Sequence, residues 1–146
     1  MKLQENLKMV GELTIQVFNE NGDLKSATKV PNLVVTVGKN YIASRMVGTA
    51  STVMSHMAIG TGTSTPIAGD INLGTEAYRT SITIAASTNT VTSTATFAAG
   101  NGTGAITEAG IFNAGSAGTM LCRTVFAVIN KGALDTLTIT WKITVA

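Results

Sequence analysis

Residues 130–145 read NKGALDTLTITWKITV, and the second half of that stretch decides the fold class. Leu137, Ile139, Trp141, Ile143 and Val145 alternate strictly with Thr138, Thr140, Lys142 and Thr144. Successive side chains of a β-strand point to opposite faces, so a period of two gathers the apolar set on one face and the polar set on the other. The chain is therefore expected to end inside a half-buried strand. The same threonine-rich alternation recurs upstream, and no reactive constellation interrupts it. That combination points to a β-rich building block rather than an enzyme.

Near the start of the chain, Leu13, Ile15 and Val17 alternate with Thr14 and Gln16 before the turn signal Asn19-Glu20-Asn21-Gly22-Asp23, and a second strand follows over 25–35, interrupted by Pro31. Two such runs around an Asn-Gly turn predict a hairpin. The segment TVGKNYIASRMVG at 36–48 places Tyr41, Ile42, Arg45 and Met46 at helical spacing, with Gly48 as the stop. A short strand is expected at 56–59, and a hairpin over 79–86 and 90–97. In that hairpin, a Thr88-Asn89 tip pairs Ile84 with Ser93, Ile82 with Ala95 and Ala86 with Val91; moving the register by one residue would scatter the apolar set over both faces. Strands at 105–112, 119–128 and from Thr136 complete the series, separated by the glycine-rich loops 98–104 and 113–118. The expected fold is mainly β, a jelly-roll-like β-sandwich of about eight strands with one short helix. Residues 1–10 lack periodicity and are expected to form an arm, leaving 11–146 as a single domain.

At 146 residues the chain suits one domain, which buries roughly 70% of its unfolded surface at this size. Charged residues are only 12% and aromatics 5%, against 45% hydrophobic residues, so the core must rest on aliphatic side chains. A weakly charged exterior of Thr, Ala, Ser and Gly suits a surface that neighbours cover. The net charge of +2 comes from basic residues scattered along the chain, with no stripe to follow a phosphate backbone, so nucleic acid is not an expected partner. The lone Cys122 excludes an internal disulfide. Charges at Lys2, Glu5, Lys8 and Glu12 interrupt the start where a secretion signal needs an apolar core. No apolar run approaches a membrane span.

Candidate chemistry is sparse. GTGTSTP at 60–66 lacks the Gly-Lys-Ser/Thr ending of a phosphate-binding loop and reads as a turn. His56 is the only histidine, with no Cys or carboxylate at ligand spacing. Cys122, beside Met120 and Leu121, reads as a packed thiol. No catalytic, metal or cofactor site is nominated. Glu108 and Arg123 are more informative. They flank the 113–118 loop, and a symmetric hairpin sets them opposite each other, Glu108 sharing a face with Ile106 and Phe112, Arg123 with Leu121 and Val125. The expectation is a structural ion pair amid apolar neighbours, and a candidate subunit contact. Asp70 and Glu76 are expected to be exposed loop carboxylates, since no calcium-loop pattern surrounds them. Lys131 and Asp135 are expected to pair locally at the entrance to the last strand. Asn101-Gly102-Thr103 matches a glycosylation sequon but carries no weight without a secretion signal.

With the strands placed, an ordered series becomes legible: NLVVTVGKNYIASRM, MAIGTGTSTP, LGTEAYR, TATF, ITEAGIFNAG, GTMLCRTVF and NKGALDTLTITWKITV. Over about residues 30–146 this series resembles small virion proteins of tailed bacteriophages, most closely capsid decoration (cement) proteins. The resemblance implies a jelly-roll-like, non-enzymatic protein made in the host cytoplasm and placed on the outer surface of the head. It also implies the major capsid protein as partner, a homotrimer, and neither cofactor, membrane nor nucleic acid. Leu3, Leu7 and Met9 are expected to anchor the arm on the shell or on a neighbouring subunit, with the loops 60–75 and 98–104 as further contacts. Two other classes compete. A tail, baseplate or fibre component fits the same composition. A small carbohydrate- or metal-binding β-sandwich module would want more exposed aromatics or histidines than this chain has.

Overall fold

The structure is a computed structural model and describes residues 1–49 and 52–146. The first hairpin pairs β1 (Met9–Phe18) with β2 (Leu24–Pro31). Its turn forms because the Asn19 side-chain oxygen accepts the backbone N–H groups of Asn21 and Asp23, while Gly22 takes the left-handed conformation with φ of 82°. There follow β3 (Leu33–Val34), helix α1 (Thr36–Met46), β4 (His56–Gly60), β5 (Glu76–Ser81), β6 (Thr83–Ser87), β7 (Thr90–Phe97), β8 (Gly104–Phe112), β9 (Met120–Lys131) and β10 (Thr136–Val145).

These strands form two five-stranded antiparallel sheets, ordered β2-β1-β10-β7-β6 and β3-β9-β8-β4-β5. They face each other as a β-sandwich. β10 lies at the centre of the first sheet, with Trp141 opposite Leu13 on one side and Ser93 on the other. Its apolar face does what the period of two requires: Leu137, Ile139, Trp141 and Ile143 are buried against Leu13, Ile15, Val17 and Phe97. The opposite face aligns Thr14, Thr140, Thr94 and Thr83 in one row across four strands, an uncharged lattice of hydroxyls.

The strand count is ten rather than about eight, because two runs that read as continuous strands each change sheets. The 25–35 run breaks at Asn32, directly after Pro31, whose missing N–H ends the pairing with β1; β3 then joins β9 in the other sheet. The 79–86 run breaks at Ile82, where β5 leaves β4 and β6 begins beside β7. The Thr88-Asn89 tip forms, and Ile84 faces Ser93 and Ala86 faces Val91. Ile82 instead sits at the crossing, donating its N–H to the Ser55 carbonyl, so the expected Ile82–Ala95 pairing is absent from the ladder.

Helix α1 ends in a closing motif in which the Gly48 N–H bonds the Arg45 carbonyl and the Thr49 N–H bonds the Ser44 carbonyl, with Gly48 at φ of 69°. The helix rests on β9 so closely that a Cβ on Gly38 would overlap the Leu121 carbonyl. Tyr41 and Ile42 reach the inter-sheet core. α1 thereby closes part of the end of the sandwich where β1 begins. The arm is shorter than ten residues, since Lys8 already exchanges backbone hydrogen bonds with Ala146 and β1 starts at Met9. Among the described residues no helix is long and apolar enough to cross a membrane.

Candidate functional site

The most elaborate polar arrangement is built around Glu108 and Arg123. Strands β8 and β9 supply them, though not in the expected register. Shifts in the pairing put Glu108 opposite Val125 and Arg123 opposite Gly110, because the loop end is asymmetric, with Phe112 opposite Met120, and β9 carries one extra residue, Leu121, before Ile111 meets Cys122. A second irregularity follows, with Phe126 to Val128 of β9 against Thr107 alone of β8. That second irregularity separates Glu108 from Ile106. Ile106, Ala109 and Ile111 enter the inter-sheet core, whereas Phe112 joins Val35, Ala58, Leu73 and Met120 in a second cluster.

The two side chains meet nonetheless. Arg123 donates from Nη2 and Nε to Glu108 Oε2 at 2.9 and 3.1 Å. They are only 2% and 0% exposed as side chains, so the pair is internal to the chain and not a subunit contact. The loop 61–75 closes over it. Glu108 also accepts the backbone N–H groups of Gly62 (2.8 Å), Gly74 (2.9 Å) and Thr75 (2.7 Å). Arg123 also donates to Asp70 at 2.8 Å and to the Ser64 carbonyl at 3.1 Å. One carboxylate and one guanidinium thus hold both limbs of a long loop. The loop's glycines have a physical reason: a Cβ on Gly60 would overlap the Thr75 carbonyl, and one on Gly62 would overlap the Glu108 carboxylate.

Burial alone would push the Glu108 carboxyl up. The N–H groups of Thr75 and Gly74, the Arg123 guanidinium and the Gly62 N–H outweigh it and hold Glu108 below the usual carboxylate range. For Arg123, burial is likewise overcome by bonding to Asp70 and Glu108, and its affinity for the proton rises.

Further latches were not foreseen from the sequence. Asp70, expected to be exposed, is half-buried and bonded to the buried Arg123. Glu76 is bound in a two-pronged pair by Arg79 at 2.9 and 2.7 Å, and Arg79 also donates to the carbonyls of Ala114 and Ala117 and stacks 3.7 Å from the Phe112 ring. The spacing of Glu76 and Arg79 gave no signal, since residues three apart in a regular strand face opposite sides; the pairing of β5 with β4 shifts register between Tyr78 and Glu76. Lys131 and Asp135 are both buried but do not form the expected pair. Lys131 donates to the backbone carbonyls of Ala98 and Asp135, while the Asp135 carboxylate takes Lys25 at 2.7 Å and the Gly132 N–H at 2.8 Å. The Lys25 bond first, then the Gly132 N–H, lowers the Asp135 carboxyl; burial lowers the Lys131 ammonium.

The remaining candidates are dispersed. His56 begins β4 and its Nδ1 is 2.8 Å from the Ser55 hydroxyl. Cys122 is fully buried in the core, and burial pushes its thiol far up, away from the reactive thiolate. Among the described residues no group of three His, Cys, Asp or Glu could hold a metal ion. In the arm, Leu3 and Leu7 are exposed at 89% and 75%, whereas Met9 belongs to β1 and packs on the core rather than reaching outward. What the arrangement does chemically is mechanical: it makes a rigid, latched block.

A pH dependence follows. Glu108 and Asp135 have folded pKa values below their unfolded ones, so their stabilisation is complete above about pH 4.3 and is lost as pH falls through the folded values. The melting temperature is expected to fall steeply below about pH 4. Glu108→Gln should flatten that slope in calorimetry, and an unchanged slope would remove Glu108 as its source.

Compared with known proteins, the chain matches no family model, no curated protein and no solved structure.

Proposed function

We propose that this protein is a structural component of a tailed-phage virion that binds the major capsid protein on the outside of the head and stabilises the expanded shell. The observation that carries it is where the phage-like segments fall. MAIGTGTSTP and LGTEAYR supply β4 and both limbs of the latched loop, ITEAGIFNAG supplies β8 with Glu108, and GTMLCRTVF supplies β9 with Arg123. The segments on which the resemblance to virion proteins rests are thus those that latch the loop onto the sheet. The threonine row on the first sheet, flanked by Glu12, Lys29 and Lys142, adds a polar surface suited to repeated contact with other subunits. Its mechanism is preferential binding: each contact made with the expanded shell and not with its precursor shifts the equilibrium toward the expanded state. Copies that also contact one another add avidity.

Cosedimentation with expanded, decoration-free heads tests this directly. Saturable binding, with raised thermal stability of the heads, is the expected result. Absence of binding to heads together with recovery on purified tails would overturn it in favour of a tail component.

A further inference from the structure

A sandwich of two open sheets has four edge strands, and three of them here are defended. β2 carries Lys25, Lys29 and a terminal Pro31; β5 carries Glu76 and Arg79; β3 is two residues long. Charges, proline and shortness are the devices by which natural sheets prevent edge pairing. β6, Thr83-Ile84-Ala85-Ala86-Ser87, has none of them, and all five residues are exposed. Among the described residues no strand pairs with its outer edge. It also borders an apolar groove of about 480 Å³ whose walls include Met9, Tyr41, Val53, Ile84 and Ala86. Val53 and Ile84 are exposed at 58% and 40%.

We propose that a second copy of this chain pairs on the β6 edge, antiparallel and two-fold, joining two five-stranded sheets into one continuous sheet. A two-fold axis brings a segment against itself, so an uncharged segment meets itself without like-charge repulsion, and β6 alone among the edges is uncharged over more than two residues. The register follows from the hairpin. A two-residue tip makes Ser87 and Thr90 a hydrogen-bonded pair, which turns the amides of Thr83, Ala85 and Ser87 toward β7 and those of Ile84 and Ala86 outward. Outward amides must meet outward amides, and of the registers that allow this the one centred on β6 pairs all five residues: Ile84 bonds Ala86 of the second copy reciprocally, and Ala85 falls on the axis opposite its own copy.

The side chains agree with that register. The axial position is a non-hydrogen-bonded site, where Cα atoms approach to about 4.5 Å, and alanine is small enough to occupy it twice. On the groove side, large Ile84 meets small Ala86. On the other side, Thr83 meets Ser87, a hydroxyl pair of the kind favoured across strands. The groove of each copy then adjoins that of the other, and Ile84 is withdrawn from water. This two-fold contact yields a dimer, in place of the trimer implied by the phage resemblance. It stands independently of the virion role, since it is read in solution without heads.

The experiment is light scattering with size exclusion, and sedimentation equilibrium, on the full chain and on Ala85→Lys and Ala85→Glu. Position 85 is exposed, points away from the core and sits on an edge, so both variants retain the fold. The wild-type chain is expected to be a dimer, and each variant alone a monomer, because like charges face each other at the axis. An equimolar mixture of the two variants is expected to recover a 1:1 dimer. A second variant, Ala86→Pro, removes an outward N–H while leaving the β6–β7 bonds intact, and is expected to be monomeric with a circular dichroism spectrum unchanged. A wild-type monomer, an oligomer indifferent to both Ala85 variants, or a mixture that stays monomeric overturns the proposal.

Discussion

Glu108→Gln is expected to destabilise the fold by about 3–5 kcal/mol, the range for breaking a buried ion pair by removing one partner. At this chain length that lowers the melting temperature by on the order of 10 °C. The size of the effect comes from the number of groups that converge on one carboxylate. It accepts from Arg123 and from the backbone N–H groups of Gly62, Gly74 and Thr75. The amide keeps one acceptor oxygen, and its NH₂ has to face a donor. Arg123 retains only Asp70 as counter-charge, on a loop whose other tie to β8 is weakened. The loss should be local before it is global: limited proteolysis is expected to cut first within 61–75 at temperatures where the rest of the variant stays folded. A melting temperature within about 2 °C of wild type, or first cleavage elsewhere, would show that the loop is held by something other than Glu108.

How much of this was legible depends on the range of the signal. Alternation is a local property, so β10, the β1–β2 hairpin and the β6–β7 register could be read residue by residue. Helix α1 was legible for the same reason, its stop being marked by Gly48. Changing sheets leaves no mark in a period of two, because a strand that crosses keeps alternating. Pro31 was the visible hint for one crossing, and nothing comparable marks Ile82. Counting symmetrically from a loop fails where one strand bulges, and the asymmetric loop end together with the extra Leu121 displaced Arg123 from Glu108.

The candidate site was legible only in its charged pair. Two opposite charges in otherwise apolar strands announce a buried partner, and burial made their meeting more favourable than the register alone required. Asp70 lies 53 residues from Arg123 in a loop without periodicity, so composition alone placed it at the surface. Lys131 and Asp135 show the opposite failure. They are close in sequence, but the Asp135 carboxylate is turned to Lys25, 110 residues away, and Lys131 is satisfied by carbonyls. Proximity in sequence predicted a contact that backbone acceptors had already taken.

Arg123→Met, alone and combined with Glu108→Leu, separates an ion pair from a latch. Arg123→Met is expected to cost about 3 kcal/mol, with a rise in the Glu108 pKa, because the carboxylate keeps its three backbone donors but loses its counter-charge. In a simple buried ion pair, replacing both partners by apolar residues is often neutral or stabilising, since both desolvation penalties vanish together. Here that rescue should fail. Removing the carboxylate strands the N–H groups of Gly62, Gly74 and Thr75, and each buried unpaired donor costs about 1–3 kcal/mol. The double variant is therefore expected to be no more stable than Glu108→Leu alone, as measured by urea denaturation in a double-mutant cycle. Recovery to within about 1 kcal/mol of wild type would mean that the loop's donors find water when the carboxylate is gone, and that Glu108 serves Arg123 rather than the loop. The geometry favours the opposite order, because the backbone of two distant loop limbs converges on Glu108 and only one side chain does.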